Sequence, residues 1–171
     1  MKIFLLALAF FFLSVFQLAL APRLSLWEIG PNFILAGVLS SAIMAKDSSV
    51  RWLILGWVLF FDLVAGRPFG VLALSFLAAF FFINWLANFW LKRSNFPAIL
   101  FLGALGIAFF DLGLFLFRKI FSFFSVLSIG MPEISTSFFS LSLGGLYDLL
   151  AFLTIFYLLG RFKNFFNRFQ R

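Results

Sequence analysis

The chain has 171 residues, of which 64% are hydrophobic and only 11% charged, far more apolar surface than a soluble fold of this length could bury. It has no histidine and no cysteine, which excludes imidazole acid/base chemistry, cysteine nucleophiles, disulfides and the usual zinc and haem ligands. The net charge of +7 sits mostly between apolar runs and at the C-terminus, so the positive-inside rule accounts for it without nucleic acid. An integral membrane protein follows, an all-α polytopic bundle.

A span needs about 20 apolar residues, and six runs meet or approach that: residues 3–21, 27–45, 50–66, 69–91, 96–117 and 137–160. The first imitates a signal peptide, with Lys2 at its start and Ala19-Leu20-Ala21 like a cleavage site. Pro22 after the candidate bond, and a run longer than an h-region, favour an uncleaved helix. The second run must include Glu28 and Pro31 to reach full length, and the third is short unless it begins near Val50.

The third and fourth runs are joined through Gly56 to Leu74, with Asp62 inside the apolar run and Gly66-Arg67-Pro68-Phe69-Gly70 between. This predicts two helices in a tight hairpin. A central charge costs about 2.5 to 3.5 kcal/mol on insertion scales, so Asp62 must face other protein. Arg67 is close enough in sequence to pair with it. Toward the inner end of the fourth run, Asn84 and Asn88 share one helix face near Trp85 and Trp90, which suits interhelical hydrogen bonds beside interfacial anchors.

In the fifth run Asp111 shares a face with Ala104 and Ala108. In the sixth, Asp148 shares one with Ser140, Gly144 and Ala151. Small residues allow close helix approach, so both faces are expected to point inward. No lysine or arginine lies in the middle of any run. The three acids are therefore expected to be protonated or bonded to groups such as Gln17, Asn84, Asn88 and backbone. They serve either as structural glue or as a proton path or ligand site.

Between the fifth and sixth runs, residues 118–136 are too apolar for a free loop and too interrupted by Gly130 and Pro132 for a span. They read as an interfacial amphipathic helix, either a lid or a docking surface. The tail, residues 161–171, sets Phe162, Phe165, Phe166 and Phe169 against Arg161, Asn164, Arg168 and Arg171. It is expected to lie on the inner leaflet, where anionic lipid suffices to hold it; docking of a cytoplasmic protein is the sharper alternative.

Orientation follows from the basic residues. With the N-terminus inside, the inner side holds nine (Lys2, Lys46, Arg51, Lys92, Arg93, Arg161, Lys163, Arg168 and Arg171) and the outer side four (Arg23, Arg67, Arg118 and Lys119). Both termini are thus expected in the cytoplasm.

Three functions can be compared. An intramembrane aspartyl protease such as lipoprotein signal peptidase would use two carboxylates sharing a proton, but the paired Asn/Asp motifs of that family are missing. A substrate-binding S component of an energy-coupling-factor vitamin importer is also a small six-span protein, but the first run lacks the Ala-x-x-x-Ala pattern of those subunits. The third reading is a scaffold. Gly30-Pro31-Asn32-Phe33 opens the second run; Gly56-Trp57 precedes Asp62-Leu63, Gly66 and Gly70; Asp111 precedes the outer segment with Pro132-Glu133; Arg161-Phe162-Lys163 follows the last run. In this order the chain resembles the bacterial rod shape-determining protein MreD family over most of its length. It departs at Val58, where the family often has glycine.

The resemblance implies a non-catalytic subunit of the cell-wall elongation machinery in the bacterial cytoplasmic membrane, without cofactor or metal. MreC is its expected direct partner, with MreB, RodA and a penicillin-binding transpeptidase in the same complex. It also implies a fold like that of vitamin-importer S components. On this reading Asp62, Gly66, Arg67, Pro68 and Gly70 shape the hairpin. Candidate partner contacts are Pro31, Asn32, Phe121, Phe124, Pro132, Glu133, Phe162, Phe166 and Arg168.

Overall fold

The computed structural model describes the backbone of residues 2–25, 29–44, 48–64, 70–90, 96–123 and 138–169, and the side chains of 7–25, 29–44, 49–64, 70–89, 96–121 and 142–161. The described residues form an all-α bundle of six helices: α1 (Lys2–Ala19), α2 (Phe33–Met44), α3 (Ser48–Val64), α4 (Val71–Trp90), α5 (Phe96–Phe123) and α6 (Phe138–Phe169).

The short helix α2 is the centre. Every residue from Ile34 to Ala42 is buried, because α6, α4 and α1 pack around it, with α5 touching it more briefly. A helix apolar on all sides belongs in such a position. α4 and α5 make the most extensive pair, and α3 closes against α4 and α1. Four contacts set the directions. Asn84 of α4 reaches Ala42 near the end of α2, and Gly160 of α6 lies against Met44, so α2, α4 and α6 run parallel. Gln17 near the end of α1 meets the start of α2, and Phe121 of α5 lies over Gly70, so α1 and α5 run the other way.

Among the described residues, three helices are long and apolar enough to cross a membrane, over Val71–Phe89, Phe96–Phe121 and Ser142–Arg161. Large apolar side chains point outward all round the bundle, among them Phe11, Trp52, Phe60, Leu63, Phe89 and Leu150. In water that surface would be untenable; in lipid it is the ordinary exterior. The chain is a membrane protein.

Several boundaries differ from the sequence expectation. α2 begins at Phe33 rather than near Trp27, because Asn32 caps it: its carbonyl accepts the Ala36 N–H at 3.1 Å and its side-chain oxygen accepts the Leu35 N–H at 3.0 Å. Pro31, lacking an N–H, stands just outside. α3 starts at Ser48 and so recovers the length its apolar run lacked. α5 runs past Phe117 through Arg118 and Lys119, with the Lys119 ammonium 5.3 Å above the Phe115 ring one turn back. α6 continues to Phe169 without a break at Gly160, and the Arg161 guanidinium stacks on Tyr157 at 5.2 Å. The helix of the last span therefore carries on into the tail as far as Phe169.

The small-residue face of α5 also turns differently. Ala104 and Ala108 are exposed, while Gly103, Gly106 and Gly113 are buried. A side chain at Gly103 would overlap the Phe152 ring of α6, and one at Gly106 would meet Leu39 of α2 at 2.7 Å. These glycines let α5 approach α6 and α2.

Candidate functional site

The acids of the bundle, with Gln17 and Asn32, lie toward the end where α1, α3 and α5 finish and α2, α4 and α6 begin. Helix starts carry N–H groups with no partner inside the helix and a partial positive charge. In a bundle shielded from water those groups need partners from elsewhere.

Asp62 lies in the last turn of α3 and is 1% exposed. Its Oδ2 accepts the Gly70 N–H at 2.6 Å. Gly70 carries φ +100°, a conformation that favours glycine, and its carbonyl accepts the Leu74 N–H at 2.8 Å. It is thus the residue from which α4 springs, and Asp62 closes the hairpin by capping the next helix. Its second oxygen, Oδ1, is buried and has no partner among the described residues. Phe121 stands over Gly70, and Gly113 of α5 lies against Ser75 one turn into α4. The expected pairing of Asp62 with Arg67 lies outside the described residues, as do Gly66 and Pro68.

The start of α2 is held by two other helices. Gln17 of α1 uses both ends of its amide: Oε1 accepts the Phe33 N–H at 2.7 Å, and Nε2 donates to the Pro31 carbonyl at 3.3 Å. From α6, Asp148 accepts the Asn32 N–H on Oδ1 at 2.7 Å. Gly30 allows the preceding chain to double back, since a Cβ there would stand 2.8 Å from the Ala21 carbonyl oxygen. Pro31 is buried and Asn32 half-buried. The Gly30-Pro31-Asn32-Phe33 run is therefore a clamp point for three helices.

Asp111 of α5 is half-buried, within electrostatic range of Asp148. At the other end of the bundle Asn84 donates to the Ala42 carbonyl at 2.9 Å, serving the end of α2, and Asn88 makes a longer contact to Asn84 at 3.4 Å. Of the expected polar partners, Gln17 and Asn84 bond backbone rather than the acids.

Of the expected partner contacts, Phe121 is half-buried and packs within the bundle. Phe124, Pro132 and Glu133 lie outside the described residues, and the side chains of Phe162, Phe166 and Arg168 do as well. Sequence reasoning missed a bond from Trp57 Nε1 to Ser14 Oγ at 3.0 Å that ties α3 to α1. It also missed Ser40 and Ser41, whose buried hydroxyls have no partner among the described residues. The only sequence signal for these was a hydroxyl in an apolar helix.

Among the described residues no group of three or more acids could hold a metal ion. What the arrangement does chemically is to neutralise helix ends: two carboxylates and two amides each meet a backbone group of another element. Comparison with known proteins returned no match to a family model, to a curated protein or to a solved structure.

Proposed function

We propose that the chain is a non-catalytic membrane scaffold of the bacterial cell-wall elongation complex, resembling the MreD family, and that it supports rod shape by binding MreC and, through it or beside it, MreB, RodA and a penicillin-binding transpeptidase. It would lie in the cytoplasmic membrane with both termini inside.

One observation carries this reading. The residues through which the chain resembles that family hold helices together: Asp62 closes the α3–α4 hairpin on Gly70, and Asn32 joins α2 to Asp148 of α6. Acids committed to backbone N–H groups suit a rigid frame better than acid/base turnover, which needs a carboxyl free to exchange protons. The frame then acts through its lipid-facing helices and ends, which suits an adaptor with little mass outside the membrane.

A vitamin-importer S component is the second reading. It is favoured by the gathering of Gln17, Asn32, Asp111 and Asp148 at the end that the charge distribution places outside, where such a pocket would open.

Affinity purification of the tagged chain from its native membrane in mild detergent, with mass spectrometry of what accompanies it, separates the two. MreC and other elongation proteins are the expected companions. A transmembrane coupling subunit with paired ATPases would overturn the scaffold and turn these residues into ligand candidates.

A further inference from the structure

The outward face of α5 is unlike an ordinary lipid-facing surface. Ala104, Ala108, Leu112 and Phe115 are exposed along one side of the helix, and Asp111 stands half-buried at the edge of that stripe. Asp111 is about 9 Å below Phe117, the end of the apolar run, at 1.5 Å per residue. Among the described residues no hydrogen bond or cation engages its carboxyl, and the charged group near it is Asp148. The neighbouring Asp148 supplies no positive charge, and its Oδ1 already holds the Asn32 N–H.

We infer that this face receives a transmembrane helix of another protein carrying a lysine or arginine in its outer third. The two alanines let a foreign backbone approach closely at mid-membrane. The base then meets Asp111 in a medium where an ion pair replaces two poorly solvated charges. Charge complementarity selects this occupant over a second copy of the chain. Every lysine and arginine here lies at or beyond the end of an apolar run, so a copy in the same orientation has no base at that depth. The inference goes beyond the scaffold reading and holds whichever complex the chain joins.

The test uses the full chain in phosphatidylcholine vesicles. Since the sequence has no cysteine, Leu158→Cys, exposed on α6, takes a single donor dye away from the face. The probe is an acceptor-labelled Leu/Ala transmembrane peptide of about 23 residues, with one lysine six residues below its outer end, compared with peptides bearing glutamine or leucine there. Association of the lysine peptide should exceed that of the leucine peptide about tenfold. Asp111→Asn should abolish the preference, Asp111→Glu should keep it, and Ala108→Phe should weaken all three peptides. Equal association of the three peptides, or a lysine preference that survives Asp111→Asn, overturns the inference. So does energy transfer between copies of the chain that Ala108→Phe removes, which would show the face to be covered by a second copy. Thermal unfolding of each variant in detergent confirms that a lost signal is not a lost fold, with Asp111→Glu keeping the comparison decisive if Asp111→Asn fails to fold. None of these outcomes depends on which proteins co-purify.

Discussion

A single hydrogen bond fixes how α4 leaves the hairpin. Replacing Asp62 by alanine strips the half-buried Gly70 N–H of its acceptor. Leaving such a donor unsatisfied costs about 1 to 3 kcal/mol. Asp62→Ala should therefore lower the unfolding midpoint in detergent, while Asp62→Asn, which keeps an acceptor oxygen, should lose less. Equal loss in both would mean that the charge, rather than the bond, matters. Gly70→Ala tests the backbone half of the same joint: φ +100° disfavours a Cβ, so the variant should lose about 1 kcal/mol. The space around Gly70 is open enough, with Phe121 at 3.6 Å, that crowding will not confuse the result. This joint was readable in the sequence because an acid in an apolar run must find a partner, and a glycine-rich turn eight residues later supplies backbone donors at once. That Gly70 would be a donor was not readable; charge suggested Arg67, which lies outside the described residues, and the bond seen engages one carboxylate oxygen with a backbone amide.

At the scale of elements, the buried start of α2 depends on side chains from α1 and α6. Gln17→Leu and Asp148→Leu should each raise the hydrogen-exchange rate of the Phe33 and Asn32 amides respectively, leaving the middle of α4 protected. If the two amides stay protected, the clamp is not what holds α2. Packing offers a paired contrast on neighbouring residues of α5. Gly103→Leu must displace the Phe152 ring and should destabilise by more than about 2 kcal/mol, whereas Ala104→Leu faces outward and should stay within about 0.5 kcal/mol. The inversion of that face shows what periodicity leaves open. Glycines at 103, 106 and 113 and alanines at 104 and 108 form two stripes on nearly opposite sides of one helix, each small enough for close contact. Only the rings and aliphatics of the partner helices decide between them. The length of α2 was misjudged for a related reason. Hydropathy runs through Trp27 to Ala45, but the capping signal Pro31-Asn32 lies inside that run and overrides it, because a cap redirects backbone hydrogen bonds that hydropathy does not count.

For the whole molecule, the basic residues set a testable orientation. In the cysteine-free chain, Ser25→Cys should react with a membrane-impermeant thiol reagent added outside intact cells, and Arg161→Cys only after the membrane is opened. The reverse pattern would refute the proposed orientation and move the acid-rich end to the cytoplasm. Helical class and helix number were legible because lipid forces every backbone group to be satisfied within its own segment, so apolar length alone marks the elements. The meeting of Gln17, Asn32 and Asp148 was not, since nothing local links residues that far apart.

That separation has a consequence for how the protein is made. Asn32 and Asp148 are 116 residues apart, and synthesis proceeds at about 5 to 20 residues per second. For roughly 6 to 23 s after its start is made, α2 has neither the acceptor that holds the amide of its cap residue Asn32 nor the helix that covers one of its sides. At 12 residues it is about 18 Å long, well short of the roughly 30 Å of bilayer hydrocarbon, so it is a poor candidate to settle in lipid alone. The central helix of the finished bundle is the second to be synthesised and among the last to be completed.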